Sequence, residues 1–163
     1  MEGKQSGSGR DESEEERLDR NLSELLQELR VALPGVQVLF AFLLTVPFQQ
    51  GFTKITPFQE RIYFVTLLLT ALSAALLITP TAYHRVTFRY QQKEHLVFLA
   101  NRVAIAGLGF LAIAMTGAIM LITDVVFGAT ATVVITTVLA FCVFAFFWYL
   151  LPLRRRFRSE DQL

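Results

Sequence analysis

Four long stretches of this chain hold no charged residue. They run from Val31 to Thr53, Ile62 to Tyr83, Val103 to Thr123 and Val125 to Leu151, and are 23, 22, 21 and 27 residues long. An α-helix rises 1.5 Å per residue, so about 20 residues cross the apolar layer of a bilayer, and an uncharged run of 18 or more is a candidate span. A buried helix of a soluble protein keeps a polar face every 3.6 residues. The run VVFGATATVVITTVLAFCVFAFFWYLL (125–151) has only small residues and threonines in that role. None of the four alternates with the period of two that a membrane β-strand needs. Cysteine is nearly absent too. Cys142 stands alone inside the fourth run, which excludes a disulfide framework or a cysteine metal site within one chain. Two histidines, His84 and His95, do not make a zinc site without further ligands. Phosphate loops, nucleophile elbows and haem signatures are missing. The expectation is a protein that is not an enzyme, holds no cofactor and binds no nucleic acid. The middle of every run lacks Asp, Glu, Lys and His. Ion-coupled transporters place a titratable or cation-binding group near the midplane, so ion exchange by this chain alone is not expected.

The charges that are present lie between the runs. Nine of the 14 acidic residues fall within residues 1–30. That segment has no apolar core of a cleaved leader, so the first span is expected to act as an uncleaved insertion signal. With four spans, three basic segments share one side. The N-terminal tail has Lys4, Arg10, Arg17, Arg20 and Arg30; the central connection has Arg85, Arg89, Lys93 and, just beyond, Arg102; the C-terminal tail has Arg154, Arg155, Arg156 and Arg158. The other side holds only Lys54 and Arg61. Basic residues in short loops stay cytoplasmic, so both termini are expected in the cytoplasm.

Along the chain, residues 1–13 are rich in Gly, Ser and charge and are expected to be disordered. In residues 14–30, Leu18, Leu22, Leu25, Leu26 and Leu29 recur on one face of a short amphipathic helix. Lying along the headgroups is its first expected placement; docking on the cytoplasmic ends of the other helices and a dimer seam are the alternatives. Its acidic polar face suits protein contact. The four-helix transmembrane domain then occupies residues 31–153, with spans at about 31–52, 60–83, 98–123 and 125–151, and the basic tail is 154–163. Pro34-Gly35 is expected to bend the chain between amphipathic helix and first span. Thr56, Pro57 and Gln59 have the capping-box pattern that starts the second. The third and fourth spans form a hairpin around Asp124, with Thr123 or Asp124 capping the fourth helix. The fold class is therefore all-α, a polytopic membrane protein of four transmembrane helices after a short cytoplasmic amphipathic helix.

Two groups of residues stand out. Asn101 and Arg102 sit where the third span begins. Arg102 is expected to mark the cytoplasmic boundary, with 94–101 as a helical extension below it; the alternative puts both residues in a polar cavity facing the bundle. Gly128, Thr132, Thr136 and Ala140 recur every four residues on the fourth span. Small residues at that spacing let helices approach closely, within the bundle or between chains. Mid-span threonines can bond their own backbone, so they need not line a pore.

The stretches RLDRNLSELLQELRVALPGVQVLFAFLLTVPF, HRVTFR and ANRVAIAGLGFLA resemble a family of small, uncharacterised actinobacterial four-helix membrane proteins, some of whose members carry an automatic label of sodium:proton antiporter. The resemblance covers about residues 17–153 and implies a bacterial plasma-membrane protein. If the pattern marks a site, it marks Arg30, Gln37, His84, Arg85, Arg89, Asn101 and Arg102, a polar cluster on the cytoplasmic side. The label needs a mid-span carboxylate that this chain lacks. The expected role is a non-enzymatic accessory or scaffold acting through helix–helix and lipid contacts, with a small oligomeric transporter or channel as the alternative. Expected partners are membrane lipids, anionic headgroups among them, and a second copy or another membrane protein. The acidic N-terminal segment and the basic central connection attract one another, more weakly in salt. Replacing Arg85 and Arg89 together by Ala should therefore increase protease cleavage within residues 14–30; unchanged cleavage would count against docking of that segment.

Overall fold

The computed structural model describes residues 14–87, 93–151 and Arg154. The expected disorder of residues 1–13 and most of the basic tail lie outside them. Every described element is helical, and the long ones are α1 (Glu14–Thr45), α2 (Pro57–Thr87), α3 (Lys93–Phe127) and α4 (Thr130–Ala145). Short 3₁₀ turns at Val46–Phe48 and Phe52–Lys54 join α1 to α2, and a π turn, Phe146–Leu150, extends α4. Four segments are long and apolar enough to cross a membrane: Glu16–Phe48, Pro57–Tyr83, Val97–Phe127 and Thr130–Leu150.

The bundle has an apolar surface as well as an apolar core, unlike a water-soluble bundle. Thr66, Thr70, Ser73, Thr116 and Thr123 are buried, while Val134, Ile135, Val138, Leu139 and Phe141 on α4 are exposed. Contiguous exposed apolar surface of this extent needs a partner or a bilayer to cover it. The interior hydroxyls have partners close by. Thr70 donates to the Thr66 carbonyl, Thr116 to that of Ala112, Thr123 to that of Ile119 and Thr136 to that of Thr132, each at 2.8 Å. The expectation that mid-span threonines bond their own helices holds at these four positions.

α2 and α3 form the central pair, α1 packs on both, and α4 packs on α3. The centre depends on glycine. A Cβ at Gly107 would meet the Leu77 side chain at 2.9 Å, and one at Gly117 would collide with the Thr66 hydroxyl. At the first of these positions the Ser73 hydroxyl donates across to the Gly107 carbonyl at 2.8 Å. The loop end of the α1–α2 pair is fastened by Tyr63, whose hydroxyl donates to the Leu43 carbonyl at 2.8 Å and whose ring meets Phe52 edge-on at 5.2 Å. The capping box at the start of α2 is present: the Thr56 N–H donates to Gln59 Oε1 at 2.9 Å, and the Gln59 N–H to Thr56 Oγ1 at 3.3 Å.

Three expectations are refined. The position expected to bend, Pro34-Gly35, lies inside a single helix, because α1 runs through Pro34 without interruption. An interior proline costs about 3 kcal/mol, but Leu22, Leu29, Val36 and Leu43 are all buried. That seven-residue repeat keeps one stripe facing its neighbours on both sides of the proline. Second, residues 14–30 make the contact that the docking alternative requires: Leu22 packs with Ala100 and Val97 of α3. Third, Asp124 caps nothing. It lies inside α3, which continues to Phe127, and α4 starts after Ala129. The turn belongs to Gly128, whose φ is 61° and whose N–H donates to the Asp124 carbonyl at 3.0 Å. Glycine enters this left-handed region without the Cβ penalty, so the helix ends there.

Gly107→Val and Gly117→Val should each destabilise the bundle in detergent by about 1–3 kcal/mol, the usual cost of overpacking. Gly35→Ala, with nothing within 4 Å of the added carbon, should leave thermal stability unchanged or raise it slightly. Equal melting temperatures for all three would contradict the close α2–α3 approach.

Candidate functional site

The face of α1 that carries the leucine seam also carries polar residues on its flank. Asn21, Glu24 and Glu28 follow one another at successive helical turns, and Glu24 and Glu28 are i, i+4 neighbours. Docking of Leu22 and Leu25 against Val97 and Ala100 sets this flank opposite the start of α3. The result is a groove of about 690 Å³, with Glu24 and Glu28 on one wall, Asn21 and Asn101 as neutral polar contacts, and Leu25, Val97 and Phe98 as its apolar part. Glu24 lies 3.8 Å from Arg20, one turn before it, in an exposed pair, which in water contributes a few tenths of a kcal/mol. Glu28 is exposed and makes no ion pair among the described residues.

Of the residues singled out in the sequence, Asn101 lines this groove. Arg102 is exposed, and its guanidinium carbon stands 4.2 Å from the centroid of Phe98, one turn earlier on α3. Such a stack is worth about 0.5–1 kcal/mol at an exposed site. Both adjacent residues therefore border the groove: the amide lines it, and the cation covers Phe98, which also lines it. Residues 93–101 are helical below Arg102, as the extension below the span requires. Arg30 and Gln37 are exposed on α1. They stand one residue past buried Leu29 and Val36, about 100° round the helix, so they turn away from the seam. Arg85 is exposed near the end of α2. His84 is helical, with a side chain outside the described residues, as is Arg89 entirely. The structure brings Asn101 together with α1 residues that the sequence pattern did not select: Asn21, Glu24 and Glu28. Periodicity located their helix face but could not say that this face would meet α3.

Residues 11–152 match a family of unknown function, DUF6328. The chain belongs to this family. No curated protein and no solved structure matches it. The match spans all four long helices of this DUF6328 member, including the α1 segment that forms the groove wall.

The small-residue series on the fourth helix also divides. Gly128 is an exposed turn residue with nothing within 4 Å of an added Cβ. Thr132, Thr136 and Ala140 are half-buried at the edge of the contact, beside the buried Val133. What anchors this helix lies further on, in the π turn. Trp148 packs on the core cluster of Leu29, Val36, Leu77, Ala104 and Leu111, and the Tyr149 hydroxyl donates to the Ile105 carbonyl of α3 at 2.8 Å. Tyr149→Phe should therefore cost about 1 kcal/mol, the net worth of one such bond. Fluorescence of Trp148, the single tryptophan, should report it as a lowered thermal midpoint in detergent; an unshifted midpoint would remove Tyr149 from the α3–α4 contact.

Proposed function

We propose that this DUF6328 member is a polytopic protein of a bacterial plasma membrane, with both termini in the cytoplasm, and that it acts without enzymatic chemistry as an accessory or scaffold through helix–helix and lipid contacts. The observation that carries the reading is the use of the interior polar side chains. Thr70, Thr116 and Thr123 bond their own helices, and Ser73 joins α2 to α3. In an apolar medium each bonded group avoids a penalty of several kcal/mol. Hydroxyls satisfied by their own helix, or in the case of Ser73 by its neighbour, support a packing role over one of passing an ion from site to site. The basic residues concentrated on one side support the orientation, and the exposed apolar residues of α4 support contact with lipid tails.

A small oligomeric transporter or channel is the second reading. One observation favours it. The Thr137 hydroxyl oxygen on α4 is buried with no hydrogen-bond partner among the described residues, beside the half-exposed Thr136. An unpaired hydroxyl inside an apolar bundle is available to bond a polar group that enters it.

The two readings separate in one pair of measurements on protein extracted gently from its own membrane. Native mass spectrometry should find a stable complex with a different membrane protein, and liposomes holding the purified chain should leak protons and sodium no faster than empty ones. A homo-oligomer with flux above that background would replace the scaffold reading with the transporter.

A further inference from the structure

The groove between α1 and α3 is an interaction surface, and the chain carries a segment that suits it. Its wall is anionic through Glu24 and Glu28, and its lining is apolar at Val97 and Phe98. An occupant should combine guanidinium or ammonium groups with an aromatic or aliphatic side chain. Beyond Leu153 the sequence reads Arg154, Arg155, Arg156, Phe157, Arg158, which is that combination: four cations around one ring.

The fold delivers this segment to the groove. α4 runs antiparallel to α3, and the Tyr149–Ile105 hydrogen bond fixes their register near the end of the bundle. Asn101 lies four residues before Ile105, about 6 Å along α3 in the direction that α4 is travelling. Arg155 follows Tyr149 by six residues, about 9 Å when measured at the helical rise that Leu151 and Arg154 keep. Trp148 packs on the core cluster shared by α1, α2 and α3, to which Leu29, Leu77 and Ala104 belong. Glu28 is unpaired among the described residues, and Glu24 has only a long, exposed contact with Arg20, so both are able to accept a guanidinium.

We propose that the C-terminal segment Arg155–Arg158, just beyond the helical and exposed Arg154, docks in the α1–α3 groove of its own chain, with arginines on Glu24 and Glu28 and Phe157 against Leu25 and Val97. The first and last helices would then be clasped at one end of the bundle, where α1 and α4 otherwise make few direct contacts among the described residues. Buried or partly buried Arg–carboxylate pairs are bidentate and directional, so the contact is specific to position as well as to charge.

Disulfide trapping in native membranes tests this. Cys142 is the single cysteine, so Cys142→Ser gives a clean background for Asn21→Cys combined with Ser159→Cys. Under mild oxidation this pair should link within one chain. The rate should fall at least ten-fold when Glu24→Lys and Glu28→Lys are added, and recover when Arg155→Glu and Arg156→Glu are added to those. The Trp148 melting profile of each variant shows that the bundle is intact. A rate indifferent to charge reversal of the groove would overturn the proposal. So would linkage appearing mainly at twice the monomer mass, which would assign the tail to a second copy. In the Ser159→Cys variant, shielding of the introduced thiol from a water-soluble maleimide that depends on anionic lipid, and not on Glu24 and Glu28, would assign the tail to the membrane surface instead.

Discussion

The bundle depends on how closely α2 can approach α3. Two glycines on α3 set that distance, because Leu77 and Thr66 occupy the space that a Cβ would need at Gly107 and Gly117. At that separation Ser73 reaches the Gly107 carbonyl, a carbonyl that already serves its own helix and has a second lone pair to offer. Between helices in an apolar surround, water-driven burial no longer favours association; packing of small residues and interhelical hydrogen bonds take its place. The α2–α3 pair uses both, and α1 and α4 are arranged around it.

The same device recurs at the other helix contacts. Tyr63 reaches the Leu43 carbonyl of α1, and Tyr149 reaches the Ile105 carbonyl from the π turn after α4. At the opposite end of α3, the Gln59 amide donates to Asp124 Oδ2 at 2.8 Å. One glutamine therefore completes the capping box of α2 and joins α2 to α3. The α1–α2, α2–α3 and α3–α4 pairs are each held by a side chain long enough to cross to its neighbour, and the positions of these side chains define the register of the bundle.

α1 shows how one helix serves two environments. Its charged first half and apolar second half read as different elements, yet one stripe of buried residues, Leu22, Leu29, Val36 and Leu43, passes through both. This continuity makes the groove. The amphipathic half is held against the start of α3 by Leu22 and Ala100, and its acidic flank is presented at a fixed place instead of facing water at random. Arg102 borders the same groove, where its cation rests on the lining residue Phe98.

The number of long helices, their approximate limits, the capping box at Thr56–Gln59 and the local bonding of the threonines follow from the sequence alone. The reason is that uncharged run length, capping chemistry and hydroxyl-to-backbone bonds are local properties of the chain. The limits that sequence reading misplaced are those where a local signal had a non-local competitor. Asp124 looks like a helix cap, but its carboxylate is engaged by Gln59, 65 residues away, and Gly128 ends the helix through its backbone freedom. Pro34-Gly35 reads as a bend, and that the helix is continuous through it reflects a heptad stripe recognised only with its partners. The groove was least legible of all. Asn101 drew notice as a polar residue near a span, whereas Glu24 and Glu28 resembled any solvated helix face. Only the packing of α1 on α3 decided that they would stand opposite one another, because that juxtaposition depends on which side chains meet after the chain has passed through the whole of α2.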